Sequence, residues 1–186
     1  MLVIFFGVSC VGKSTLIQEL TSNFGWFSIP TYMTRPLRTG EVEKISVSHE
    51  TFSQMERGNC FVCVNNFFGN KYGTPKREIE MAMRSKDQYW VLDFSVSKKH
   101  LLDDYNYMSF IILPRDEEQL IHQIKKSERI DRLGCILEEY RNYYVKYHQT
   151  INDYKSAIVL TNLPDKASEI SQWIHSIVTS LNHEHP

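Results

Sequence analysis

Gly7-Val8-Ser9-Cys10-Val11-Gly12-Lys13-Ser14 stands directly after the apolar run Leu2–Phe6 and, with Thr15 between, before the helical-period stretch Leu16-Ile17-x-x-Leu20. It fills every required position of G-x-x-x-x-G-K-[ST]. Average residue usage yields that pattern by chance in a chain this long on the order of once in a hundred. The flanks sharpen the reading, because a strand feeding a glycine-rich turn and then a helix places main-chain N–H groups and a helix N-terminus around anionic oxygens. Ser9, Cys10, Val11, Gly12, Lys13, Ser14 and Thr15 are therefore the candidate residues for a nucleoside triphosphate. Lys13 would reach the β- and γ-phosphates and the Ser14 hydroxyl would sit on the metal, so ATP and Mg2+ are the implied cofactors.

Outward from the loop, apolar runs and helical patterns alternate. Strands are expected over Leu2–Phe6, Trp26–Ile29, Cys60–Val64, Tyr89–Asp93, Met108–Leu113 and Ala157–Thr161, and helices over Lys13–Asn23, Phe52–Arg57, Lys76–Arg84, Asp116–Lys126, Ile136–Tyr147 and Asp165–Ser180. That alternation implies an α/β fold of the P-loop nucleoside triphosphate hydrolase type, a parallel sheet core with helices on both faces. Thr31–Val47 and Lys125–Leu133 are charged and lack a clear period, which marks them as candidate functional loops.

The 186 residues suit one domain with a single core. No run approaches the ~18 apolar residues of a membrane span. A net charge of -1 without a basic tract gives no footprint for duplex nucleic acid or an anionic membrane. The apolar start lacks a basic flank and a small-residue cleavage site, so a cytoplasmic protein is expected. Cys60 and Cys63 form one Cys-x-x-Cys pair. Phe61–Val64 reads as strand and no second pair supplies further ligands, so small buried side chains are expected there rather than a metal or redox site.

Tyr89-Trp90-Val91-Leu92-Asp93 is an apolar run ending in a carboxylate, the form of a strand whose aspartate lies near the metal at the C-terminal edge of the sheet. Ser14 and Asp93 are the candidate metal residues. In Thr31-Tyr32-Met33-Thr34-Arg35-Pro36-Leu37-Arg38-Thr39-Gly40-Glu41, arginines and hydroxyls surround a rigid proline. Guanidinium groups suit bidentate phosphate binding, so the segment reads as a second anion site.

Here the sequence resembles the guanylate kinase family. Thr34, Arg35, Pro36, Arg38, Gly40 and Glu41 match its T-R-P-x-R-x-G-E segment, and Phe52 and Met55 fit the helix that opens its acceptor-binding subdomain. Gly69-Asn70-Lys71-Tyr72-Gly73-Thr74 is similar to its G-N-x-Y-G-[ST] stretch, and Ala157–Asn162 with Asp165-Lys166-Ala167 resembles its final strand and helix. The resemblance implies an ATP-dependent kinase with a core of residues 1–30 and 88–186, an acceptor-binding subdomain over about 31–87 and a lid over about 125–141. It places Thr31, Arg35, Arg38 and Tyr72 on the phosphate of the acceptor, with Thr74 and Asp93 beside it, and makes Arg129 and Arg141 lid arginines over the ATP phosphates. Catalysis would then rest on Lys13, Arg35, Arg129 and Arg141.

Where the family reads guanine with a glutamate and an aspartate, this chain carries Cys63 and Ser95. Glu41–Val47 is shorter than in the family, and Lys44 lies near the place of a phosphate-binding tyrosine. A site that loses a hydrogen-bonding partner loses ~10⁴ in discrimination. The expected acceptor is thus a nucleoside monophosphate without strict guanine selection. Two other readings stand beside it. The related ribose 1,5-bisphosphate phosphokinases act on a sugar phosphate and share the shortened loop and the missing glutamate. Guanylate-kinase-like domains that have lost catalysis serve as interaction modules, although those degrade a phosphate loop that is intact here. The expected partner is a small phosphorylated acceptor, and the assembly a monomer or homodimer.

Phosphoryl transfer requires alignment and charge neutralisation, and a phosphate acceptor needs no general base. Tyr140, Tyr143, Tyr144 and Tyr147 recur at helical spacing and read as a packing stripe. Lys125, Lys126, Arg129 and Arg132 form either a cationic helix end or part of the lid. His183 and His185 lie in a polar tail.

Overall fold

The computed structural model describes every residue except Thr39, Val42, Phe68, Lys86, 151–156 and 184–186, and gives the backbone alone for 143–150, Pro164 and His183. Along the chain run β1 (Leu2–Phe6), α1 (Lys13–Phe24), β2 (Phe27–Ser28), β3 (Thr31–Met33), β4 (Lys44–Ser46), α2 (His49–Arg57), β5 (Phe61–Phe67), β6 (Asn70–Pro75), α3 (Lys76–Arg84), β7 (Trp90–Asp93), a 3₁₀ segment (Val96–Leu102), β8 (Met108–Pro114), α4 (Glu117–Lys126), a 3₁₀ turn (Ile130–Arg132), α5 (Leu133–Thr150), β9 (Ala157–Asn162), a further 3₁₀ turn (Pro164–Lys166) and α6 (Ala167–His183).

β1 has no polar residue, and all five of its side chains are buried, as a central parallel strand covered on both faces requires. It forms the middle of a five-stranded sheet in the order β2-β7-β1-β8-β9, with every pair parallel. Helices flank this sheet, and α1 packs along α6. The N-terminal end of the sheet is fixed by aromatic packing: the Trp26 indole donates to His175 Nδ1 at 3.0 Å, and His175 stacks on Phe24 at 4.5 Å. Strand order reverses around β1, so its C-terminal end and that of β7 open onto the crevice where open α/β sheets bind ligands.

A second, four-stranded sheet in the order β4-β3-β6-β5 is built wholly from residues 31–75. Here the structure goes beyond the sequence reading. The segment expected as a functional loop contains β3 and β4, which pair in parallel, and the polar run at 70–75 is β6, antiparallel to both β3 and β5. Neither shows apolar alternation, because these strands carry the polar face of a cleft. α2 starts at His49 rather than Phe52, since Ser48 caps it by accepting the Thr51 N–H at 3.0 Å. α5 starts at Leu133 rather than Ile136. The side chains of Tyr143, Tyr144 and Tyr147, with His183 and His185, lie outside the described residues; Tyr140 is buried in the core.

β6 needs a glycine at position 73. Phe61 stacks on Phe52 at 4.8 Å beneath the second sheet, and a Cβ on Gly73 would stand 2.6 Å from the Phe61 ring. Gly73→Ala should therefore destabilise the protein by about 1–3 kcal/mol, read as a lower urea midpoint. An unchanged midpoint would mean that the ring shifts at no cost.

Candidate active site

The loop after β1 needs glycine where the backbone turns left-handed. Gly12 has φ 96, and a Cβ there would strike the Asn162 carboxamide. Asn162 ends β9 and is buried; its Nδ2 donates to the Val11 carbonyl at 2.7 Å, so the last strand of the sheet clamps the loop from below. Lys13, 7% exposed, donates to the carbonyls of Gly7 (2.6 Å) and Val8 (2.8 Å) and stands 3.6 Å from the Asp93 carboxylate at the end of β7. A buried ammonium needs such partners. Ser9, Cys10, Gly12, Lys13, Ser14 and Thr15 all line one cleft of about 940 Å³, whereas Val11 is a core residue that contributes its carbonyl to the clamp.

The opposite wall is the polar face of the second sheet. In register across it, Lys44 stands beside Thr31, and Thr74 beside Cys63. Thr31, Lys44, Tyr72 and Thr74 line the cleft, and Lys44 Nζ donates to Thr31 Oγ1 at 3.4 Å. Arg35 is held by Glu41: Nη1 donates to Oε2 at 2.7 Å and Nη2 to Oε1 at 2.5 Å, while Nε donates to the Tyr72 hydroxyl at 3.2 Å. Glu41 also accepts the Arg38 backbone N–H at 2.9 Å, closing the loop on itself. Nη1 also donates to the Pro36 carbonyl at 2.8 Å, so Glu41, Pro36 and Tyr72 together fix the guanidinium in the cleft lining. Burial pushes the Glu41 carboxyl up, but the Arg35 hydrogen bonds, the Arg38 N–H and the two guanidinium charges outweigh it and leave the carboxyl below its ordinary value.

The segment between α4 and α5 reaches both walls. Arg129 Nη1 donates to Cys10 Sγ at 3.5 Å, and Ser127 Oγ lies 3.5 Å from the same sulfur. Arg38 feels the opposing charges: burial first, then Arg35, Arg129 and Arg132, lower its pKa. Four guanidinium groups thus converge in the cleft that Lys13 also lines. Arg132 lines the cleft and packs over the Phe67 ring at 5.5 Å. It lies three residues after Arg129, a spacing that a 3₁₀ turn brings onto one side, and the sequence reading set it among the residues of a cationic helix end or lid.

Two expected site residues stand elsewhere. Arg141 is exposed and bidentate with Glu117, Nη2 to Oε1 at 2.6 Å and Nε to Oε2 at 3.1 Å, and does not line the cleft. Cys135, Glu139 and Asn142 form the cleft face of α5, and Arg141, about 200° around the helix from Glu139, points away. Cys63 is 3% exposed in the floor, its thiol pushed up by burial, and Asn65 faces the cleft beside it. Ser95 and Asp93 do line the cleft. The Ser14 hydroxyl and the Asp93 carboxylate, which line the same cleft, are hard oxygen donors of the kind that suit magnesium.

A family model described as guanylate kinase matches residues 1–176. The guanylate kinase of Clostridium tetani is 30% identical over 186 positions, covering 97% of this chain and 86% of that protein. That of Chlorobium luteolum is 33% identical over 151 positions, covering 75% of each. A crystal structure of guanylate kinase from Anaplasma phagocytophilum shares the fold, with a TM-score of 0.68 at 18% identity over 98% of this chain and 86% of that one.

The Arg35–Glu41 pair has a pH signature. Because the folded carboxyl lies below its ordinary value of 4.5, its stabilisation is complete above that value and is lost as pH falls through the lower folded one. Glu41→Gln should be less stable than wild type by on the order of 1 kcal/mol at pH 7. The difference in Tm should close progressively in acid below about pH 4.5. A difference independent of pH would contradict the assignment.

Proposed function

The chain belongs to the guanylate kinase family, and on that premise we propose that it transfers the γ-phosphate of ATP to a nucleoside monophosphate, with GMP the first acceptor to examine. The observation that carries this reading is the convergence of Arg35, Arg38, Arg129 and Arg132 opposite Lys13 across one cleft. Cations at that density are costly to hold together unless polyanions meet them from both sides.

In this reading the phosphate loop and Lys13 hold the β- and γ-phosphates, and Thr31, Lys44, Arg35, Arg38 and Tyr72 hold the phosphate of the acceptor. Ser14 and Asp93 would hold magnesium, which supplies positive charge to the transferring group. The acceptor phosphate is itself the nucleophile and is ionised at neutral pH, so the protein's work is to set it in line and to spread charge through Lys13, Arg129 and Arg132. Arg129, already against Cys10, closes the lid over the loop and keeps water from the γ-phosphate. Beyond the phosphate end the cleft offers neutral groups, Asn65, Thr74 and Ser95, for the rest of the acceptor. The match to guanylate kinases over nearly the full chain favours a nucleotide over a sugar phosphate, and the complete phosphate loop disfavours a module without catalysis.

Lys13→Ala should lower kcat by at least about 10³ with every acceptor. Arg35→Ala should raise the acceptor KM by about 10–100-fold while leaving the ATP Kd within about twofold. Steady-state kinetics with a panel of nucleoside monophosphates and ribose 1,5-bisphosphate, joined to ATP-binding titrations, measure both. Equal loss of ATP affinity in the two variants would overturn the two-pocket assignment, and turnover of the sugar phosphate alone would overturn the nucleotide reading.

A further inference from the structure

Arg129 and Arg132 lie on one short segment but are held to different walls of the cleft. Arg129 donates to Cys10 of the phosphate loop at 3.5 Å. The Arg132 guanidinium carbon stands over the Phe67 ring, 5.5 Å from its centroid, and both residues line the cleft. Phe67 ends β5, two residues beyond Asn65 on the same side of the second sheet, and is 37% exposed. A phenylalanine left that open contributes little to a core, so the face of its ring matters more than its burial. Asp131 also stands 3.6 Å from Arg132 Nε, but its side chain is 68% exposed and such a pair is screened by water. A ring face attracts a guanidinium without cancelling its charge, whereas the Glu41 carboxylate offsets the charge of Arg35 directly.

We propose that Phe67 is a positioning residue for phosphoryl transfer, its ring holding Arg132 on the acceptor side of the cleft while preserving the charge that the reaction uses; this rests on the kinase reading above. Arg129 is fixed to the nucleotide wall and Arg132 to the acceptor wall. The transferring group passes between the two walls and so meets a cation from each side. Without the ring, Arg132 can turn toward solvent. Each substrate still binds in its own pocket, and the loss falls on the transition state.

The test is a double-mutant cycle on the full chain, read by steady-state kinetics with ATP and a nucleoside monophosphate. Phe67→Leu keeps an apolar side chain and removes the π face. It should lower kcat about 5–30-fold and leave the KM for each substrate within about twofold. Phe67→Tyr keeps the face and should stay within about twofold of wild type in kcat. In an Arg132→Ala background, Phe67→Leu should lower kcat no further, because its effect passes through the arginine. Thermal melts check that each variant folds. Wild-type kcat in Phe67→Leu, equal losses in Phe67→Leu and Phe67→Tyr, or losses that multiply in the double variant each overturn the positioning role. Wild-type protein that turns over no nucleoside monophosphate overturns the kinase reading itself.

Discussion

Like charges crowded into one cleft are the constraint on which the rest of this structure depends. Arg35, Arg38, Arg129 and Arg132 arrive from two separate segments, residues 35–38 and 129–132, and face a buried lysine from a third. Guanidinium groups repel one another, and nothing about a hydrophobic core would bring them together. They are kept in place by directed partners: Glu41 holds Arg35 by two hydrogen bonds, the Gly7 and Val8 carbonyls hold Lys13, and the Cys10 sulfur receives Arg129. Each partner secures a cation while leaving part of it turned to the cleft, which is the arrangement a polyanion requires.

The two sheets divide the task. The parallel sheet is apolar throughout its centre, and its rigidity passes to the phosphate loop through Asn162 and to Asp93 through the end of β7. The second sheet has one polar face rich in hydrogen-bonding side chains, so it can present Thr31, Lys44, Tyr72 and Thr74 in register. Between them, Arg129 and Arg132 line the cleft from the segment before α5, and Glu139 lines it from α5 itself. Among the described residues no helix is long and apolar enough to cross a membrane.

What could be read in the sequence followed from how locally each feature is encoded. The phosphate loop, the strand ending in Asp93 and the arginine segment are contiguous runs whose chemistry depends on residue order alone, and the parallel sheet was legible because β1, β7 and β8 are apolar on both faces. β6 was hidden because its residues serve a cleft: Gly73 is dictated by the Phe61 ring from another strand, and Tyr72 by Arg35. Arg141 was misplaced for a different reason. Which residues of a helix face a site depends on its rotational phase, and that phase is set by packing against distant elements, so Glu139 became visible only once the start of α5 at Leu133 was known. Cys63 was assigned to the cleft because it stands where the family carries its glutamate, whereas packing leaves it in the floor with Asn65 at the surface.

The claim that two anion pockets face each other across one cleft is tested most directly by a single ligand that spans both. Calorimetric titration with adenosine and guanosine joined through five phosphates should give one site per chain, at least about 10²-fold tighter than ATP alone, since binding at the second pocket becomes intramolecular. It should also displace ATP and GMP together. Binding no tighter than ATP, with GMP still able to bind beside it, would show that the arginine pocket and the phosphate loop do not share a cleft.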